Sequence, residues 1–191
     1  MKIFCRILLP AFLLIPIVLL EDCKGTKDQS SHSDASPSSI SNVSEVTNVA
    51  KRDGKAPNFS WKDSTGKVVD FDSFRGKLTL INFWATWCGP CKNELPALVD
   101  LSREYAGRGV KFIGISTDRG SNVSEDVRAF VHDRGIPYQI VVSNDDVEEA
   151  FGPISGLPTT FLVDQQGLIV QKFLGARDKA MFAQAIEAHL Q

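Results

Sequence analysis

The residues of this chain whose types and spacing can do chemistry are the two cysteines of residues 87–91, Trp-Cys-Gly-Pro-Cys. Cysteines with two residues between them can close a small disulfide. The apolar run at 78–84 predicts a buried strand just before them, and a helical pattern begins just after them. Cys88 therefore lies at a helix N-terminus, where N–H groups without partners stabilise a thiolate. We interpret Cys88 as a nucleophile and Cys91, one turn further along and more buried, as the thiol that resolves its mixed disulfide.

A structural role is the alternative for this pair of cysteines. A bridge across two intervening residues restricts the unfolded chain little and stabilises the fold weakly, which favours redox chemistry. A zinc site usually needs four ligands, but Cys5 and Cys23 lie in or beside an N-terminal apolar segment and the three histidines are scattered. We therefore predict no metal and no cofactor. The formal net charge of −2 gives no basic surface for nucleic acid.

Glu94 and Trp87 are the other candidates near the cysteines. Glu94 is three residues beyond Cys91, so the two side chains share a helical surface. A carboxyl group there can exchange the proton of Cys91 if burial raises its pKa. A solvated surface carboxylate is the alternative. We interpret Trp84 and Trp87 as residues that wall the site and pack, rather than as participants in the chemistry.

The elements that must position these residues alternate between strands and helices. Hairpins are predicted over 59–71 and 159–173, and further strands over 78–84, 110–116 and 138–142. Helices are predicted over 88–105, 123–134, 146–151 and near the C-terminus. This order predicts an α/β domain with a mixed sheet covered on both faces. About 140 residues can bury a core that needs no disulfide for stability.

The N-terminus has the pattern of an export signal. Lys2 and Arg6 precede the uncharged apolar residues 7–20, and Cys23 follows two acidic residues. A lipid anchor on Cys23, an uncleaved membrane anchor and simple secretion stay open, and each sends the rest of the chain across a membrane. We therefore expect an extracytoplasmic, periplasmic-side protein.

The predicted organisation has three parts. Residues 1–23 are a signal or anchor, residues 24–52 a serine-rich flexible linker, and residues 53–191 the folded domain. We expect the fold to begin near Ala56, because the polar segment before it has few apolar groups to pack.

From about Ala56 onward the chain resembles the thioredoxin superfamily, in particular the membrane-tethered TlpA/ResA-like thiol-disulfide oxidoreductases. Residues 82–96 (NFWATWCGPCKNELP) and 156–164 (GLPTTFLVD) carry the resemblance. It implies a thioredoxin-like mixed sheet flanked by helices, with an N-terminal β-hairpin and a helix–strand insertion within 123–151. It further implies that Pro158 is a cis-proline facing the active site, where the Leu157 backbone binds substrate.

The resemblance also bears on individual site residues. Gly89 and Pro90 form the dipeptide of thioredoxin, which implies a reducing couple at about −200 to −270 mV. Thioredoxin has a buried aspartate at the position of Asn82, whereas the TlpA/ResA branch carries a glutamate that matches Glu94.

The implied function is reduction of disulfides in exported proteins by the Cys88/Cys91 dithiol. Apocytochrome c and copper-site assembly proteins are the implied substrates. A membrane donor of thiol reductant is the implied partner, and the expected state is a tethered monomer. Three alternatives stay open: a disulfide oxidase or isomerase, a peroxiredoxin-type peroxidase, and a non-enzymatic tethered binding or chaperone module.

Overall fold

The computed structural model describes residues 42–190, whose strands form one eight-stranded mixed sheet. The strands are β1 Val43–Ala50, β2 Asn58–Lys62, β3 Val68–Asp70, β4 Leu78–Trp84, β5 Val110–Ser116, β6 Gln139–Val142, β7 Thr159–Asp164 and β8 Ile169–Leu174. The helices are α1 Phe71–Phe74, α2 Gly89–Glu104, α3 Val123–Asp133, α4 Asp145–Ala150 and α5 Lys179–His189, with a short 3-10 turn at Ala106–Arg108. The predicted α/β class with a mixed sheet is confirmed.

The strand order β3-β2-β1-β6-β5-β4-β7-β8 places the end of β4 near the middle of one sheet edge. Strands β1, β6, β5 and β4 run parallel, so their carboxyl ends share that edge. On one side β7 and β8 continue the sheet antiparallel, and on the other β2 and β3 do so. All seven residues of β4 are buried, which is why this strand is a continuous apolar run apart from Thr79 and Asn82.

Two clusters of buried apolar side chains cover the two faces of the sheet. One face packs against α2, α3 and α5, through Leu98, Val127 and Phe182 among others. The other packs against α1, α4 and the β2–β3 hairpin, through Phe59 and Phe151 among others. Helices on both faces hold β4 rigidly, so the segment that leaves its carboxyl end begins from a fixed point.

The predicted start of the folded domain is wrong. Residues 43–50, assigned to the flexible linker of 24–52, form β1, which pairs with β6 and with β2. The Asn42 side chain donates hydrogen bonds to the backbone carbonyls of Ile136 and Tyr138, and so fixes the start of this strand. The segment is polar overall, but backbone pairing with a strand more than 90 residues away stabilises it, and its β-branched residues suit a strand.

The predictions for residues 1–41, including the anchor at 1–23 and the lipidation of Cys23, lie outside the described residues. Within residues 42–190, none of the helices combines the length and apolar character that crossing a membrane requires.

Candidate active site

Cys88 and Cys91 lie where α2 begins and are joined by a disulfide, with their Cα atoms 5.3 Å apart. Cys88 is the N-cap of the helix, and its Sγ accepts a hydrogen bond from the Cys91 N–H at 3.2 Å. Pro90 occupies the first turn, where its missing N–H leaves no helical hydrogen bond unmade. The sulfur of Cys88 thus lies at the positive end of the helix, as the sequence predicts.

Both cysteines are buried in the oxidised protein. Cys88 is 4% exposed and Cys91, which was expected to be the more buried of the two, is 3% exposed. The disulfide itself holds both sulfur atoms close together, which makes their burial nearly equal. The two residues differ instead in their surroundings, because Cys88 lines an open groove.

The groove beside Cys88 has a volume of about 570 Å³. Residues 87–90 form one wall, Thr117 and Arg119 after β5 and Glu148 of α4 contribute to a second, and residues 154–157 form a third. Trp87 is 68% exposed and lies on the rim, so it can contact a bound polypeptide. Trp84 is buried and packs against Phe130, in the same apolar cluster as the two cysteines.

The Leu157–Pro158 peptide bond is cis. Pro158 is buried, and its carbonyl accepts a hydrogen bond from the Gly175 N–H at 2.8 Å. Within residues 42–190, neither the N–H nor the C=O of Leu157 has a hydrogen-bond partner. Leu157 lines the same groove as Cys88, so an extended peptide in that groove can pair with the Leu157 backbone.

Glu94 is a buried carboxyl group, only 3% exposed, so the alternative of a solvated carboxylate is wrong. Its Oε1 accepts a hydrogen bond from Asn82 Nδ2 at 2.8 Å, and its Oε2 accepts one from the Arg177 N–H at 3.1 Å. Burial raises the pKa of Glu94 to about 7. The two hydrogen bonds and the charge of Arg177 oppose that rise without cancelling it.

Two partners of Glu94 were missed by sequence reasoning. Asn82 also donates to Thr160 Oγ1 at 2.9 Å, and the two residues are paired across β4 and β7. A polar residue inside each of two apolar strands was a usable signal for that contact. Arg177 contributes its backbone N–H, a group that every residue except proline carries, so no side-chain pattern could have revealed it.

Comparison with known proteins identifies the family of this chain. Residues 53–172 match the AhpC/TSA family. The chain belongs to this family. Thiol-disulfide oxidoreductase ResA of Bacillus subtilis strain 168 is 33% identical over 130 residues, which cover 66% of this chain and 69% of ResA. That relative places the chain in the TlpA/ResA-like branch, whose chemistry is thiol-disulfide exchange.

Two solved structures agree with this placement. A thiol:disulfide interchange protein of the thioredoxin family from Chlorobium tepidum TLS has a TM-score of 0.64 and 32% identity, over 73% of this chain and 98% of the other. A putative thiol:disulfide interchange protein DsbE from Chlorobium tepidum has a TM-score of 0.64 and 28% identity, over 75% of this chain and 100% of the other. This TlpA/ResA-like chain is therefore a thiol-disulfide oxidoreductase with a thioredoxin fold.

Proposed function

We propose that this oxidoreductase works as a reductant of disulfides in exported proteins, with Cys88 as the attacking thiolate. The observation that carries the proposal is the Cys88–Cys91 disulfide at the N-terminus of α2, beside a groove that a polypeptide can enter. The hydrogen bond that the Cys91 N–H donates to Cys88 Sγ and the positive end of the helix dipole both favour an anionic sulfur at Cys88.

The exchange takes place in two displacements. The Cys88 thiolate attacks one sulfur of the substrate disulfide, forms a mixed disulfide and releases the other substrate sulfur as a thiolate. Cys91 then loses its proton and attacks the Cys88 sulfur, which closes the Cys88–Cys91 disulfide and releases the second substrate thiolate. The substrate gains two electrons, and the protein loses two.

Glu94 is proposed to accept the proton that Cys91 loses in the second displacement. It lies one helical turn from Cys91, and burial brings its pKa to about 7. A base with a pKa near the working pH can both accept and return a proton, whereas an ordinary glutamate is too weak a base. Asn82 and the Arg177 N–H hold the two carboxyl oxygens in place during this transfer.

The substrate is proposed to be a flexible segment in an extended conformation. The free N–H and C=O of Leu157 can pair with such a segment as an added strand, and Trp87 offers an exposed apolar surface at the rim. The resemblance to TlpA/ResA-like proteins supports apocytochromes c and copper-site assembly proteins, whose cysteines must be reduced before cofactor insertion, as the proposed substrates.

The proposed location is the extracytoplasmic side of the membrane. This rests on the basic and apolar residues at the N-terminus, with retention through residues 1–23 or through a lipid on Cys23. Residues 24–41 are proposed to tether the domain, which works as a monomer. An oxidising compartment does not return electrons to Cys88–Cys91, so the proposed second partner is a membrane donor of thiol reductant.

The test is capture of the mixed disulfide. Replacing Cys91 with serine stops the second displacement, so Cys91→Ser should accumulate exported proteins linked to Cys88, and a Cys88→Ser/Cys91→Ser variant should capture none. Isolation of the full-length Cys91→Ser protein from cells without any mixed disulfide would contradict the proposal. So would a reduction potential near that of a strong oxidant, about −120 mV, in place of the −200 to −270 mV expected.

A further inference from the structure

Asp118 lies just after β5 and carries a carboxylate that is buried, with only 7% of the residue exposed. Its Oδ2 accepts a hydrogen bond from the Thr86 N–H at 2.9 Å, and its Oδ1 accepts one from Thr86 Oγ1 at 2.6 Å. Ser116 Oγ donates to Oδ2 at 2.7 Å. Within residues 42–190 no cationic side chain pairs with this carboxylate, because the neighbouring Arg119 binds Asp145 and Glu148. Hydrogen bonds from three donor groups, the Thr86 N–H, Thr86 Oγ1 and Ser116 Oγ, therefore compensate its burial.

These hydrogen bonds hold the segment that joins β4 to α2. Thr86 is the middle residue between Trp84, where β4 ends, and Cys88. Packing fixes the first residue of this segment, since Ala85 is fully buried, but Thr86 is partly exposed and Trp87 is 68% exposed. The Cys88 N–H donates to the Ala85 carbonyl within the segment, and the Thr117 N–H donates to the Trp84 carbonyl, so the residues that follow β5 restrain the segment from outside through Thr117 and Asp118.

The reduced protein needs this restraint more than the oxidised protein does. Cys88 has the extended backbone of an N-cap, with φ −76° and ψ 109°, and this conformation directs its Sγ toward the Cys91 N–H. In the oxidised state the disulfide also holds Cys88 there. After reduction that bond is gone, so the backbone of residues 84–88 and the hydrogen bond from the Cys91 N–H are left to keep the sulfur over the helix N-terminus.

We infer that Asp118 is a positioning residue for the redox reaction: by binding Thr86 it keeps the reduced Cys88 in the N-cap conformation that stabilises its thiolate. The inference rests on the proposed role of Cys88 as nucleophile. A carboxylate near a thiolate is electrostatically unfavourable, so Asp118 can favour the thiolate only through geometry. The charge of Asp118 and its restraint of the backbone therefore shift the pKa of Cys88 in opposite directions, so the direction of the shift in a variant shows which effect is larger.

The experiment measures iodoacetamide alkylation of Cys88 against pH in the reduced full-length chain, with the Cys88 peptide followed by mass spectrometry. Asp118→Ala should move the pH midpoint of alkylation upward. A shift of one pH unit would lower the thiolate fraction at pH 7, and with it the rate of insulin reduction, by up to about tenfold. Thr86→Val, which keeps the Asp118 carboxylate and removes one hydrogen bond to it, should shift the midpoint in the same direction by less.

Asp63→Ala is the matched control. Asp63 also accepts hydrogen bonds from a threonine N–H and O–H, those of Thr65, and from the Lys67 N–H, but it does so in the turn between β2 and β3. Its replacement removes the same kind of restraint elsewhere and should leave the Cys88 midpoint unchanged.

An unchanged or lower midpoint in Asp118→Ala would overturn the inference, because loss of a carboxylate charge alone lowers it. If Asp118→Ala does not fold, Thr86→Val decides, and a midpoint equal to that of the unsubstituted protein overturns the inference. If Cys88 of the unsubstituted protein already ionises like free cysteine, near pH 8.5, that result would instead contradict the proposed function.

Discussion

Replacing Glu94 with glutamine should remove a pH dependence of folding stability that this buried carboxyl group imposes. In the folded protein burial raises the pKa of Glu94 from 4.5 to about 7, whereas the unfolded chain exposes the group to water. Each unit of pKa difference corresponds to about 1.4 kcal/mol, so the shift amounts to about 3 kcal/mol. Because Glu94 is 3% exposed, solvent screening reduces this figure little.

The direction of this change in stability with pH follows from the number of protons that the folded and unfolded states bind. Between pH 4.5 and about 7 the folded state holds a proton on Glu94 that the unfolded state has released. The stability contributed by this protonation is complete below pH 4.5 and is lost as the pH rises through about 7. The unsubstituted protein should therefore lose about 2 to 3 kcal/mol more than Glu94→Gln between pH 5 and pH 8.5.

The assay is urea denaturation of the disulfide-bonded protein at both pH values, for both proteins. The difference between the two pH dependences cancels the other titrating groups and any constant cost of the glutamine. Glu187→Gln is the control, since the Arg108 and Tyr105 side chains lower the pKa of Glu187 to about 2. Folded and unfolded Glu187 are both ionised above pH 5, so this variant should keep the pH dependence of the unsubstituted protein. Parallel curves for Glu94→Gln and the unsubstituted protein would refute the reasoning.

Two further predictions use the same denaturation measurement. Asn82→Ala removes a hydrogen-bond donor to Glu94, so the pKa of Glu94 should rise further and the pH at which stability is lost should move upward. An unchanged pH midpoint would show that this hydrogen bond does not affect the pKa of Glu94. Gly114→Ala would place a Cβ 2.6 Å from Ile140 Cδ1 and 2.8 Å from Trp84 Nε1, and this overpacking should destabilise the fold by about 1–3 kcal/mol. Unchanged stability would mean that these side chains adapt freely.

Most of the elements could be predicted because their signals are local. The apolar run at 78–84 and the helical pattern that follows it coincide with β4 and α2, and both hairpins were marked by their turn residues. β1 was missed because its partner β6 is far away in sequence, and a backbone ladder needs no apolar composition in the strand that joins it.

The features of the candidate site also divide into those that follow from local sequence and those that depend on distant segments. The cysteine spacing and the position of Glu94 on the helix specify which groups meet, since three and four residues along a helix always bring side chains to one surface. Only the tertiary packing determined what surrounds the two cysteines and Glu94. The burial that raises the pKa of Glu94, the Arg177 N–H that binds it and the carboxylate of Asp118 all come from distant segments.

The sequence by itself therefore determined the cysteine pair, its place at a helix start and the class of fold, because each depends on neighbours within one or two turns. Only the tertiary structure decided where the domain begins, how deeply Glu94 is buried and which residues restrain the segment before Cys88. Those properties depend on contacts between segments separated by about 30 to 95 residues, and the backbone groups that make many of them look alike in every sequence.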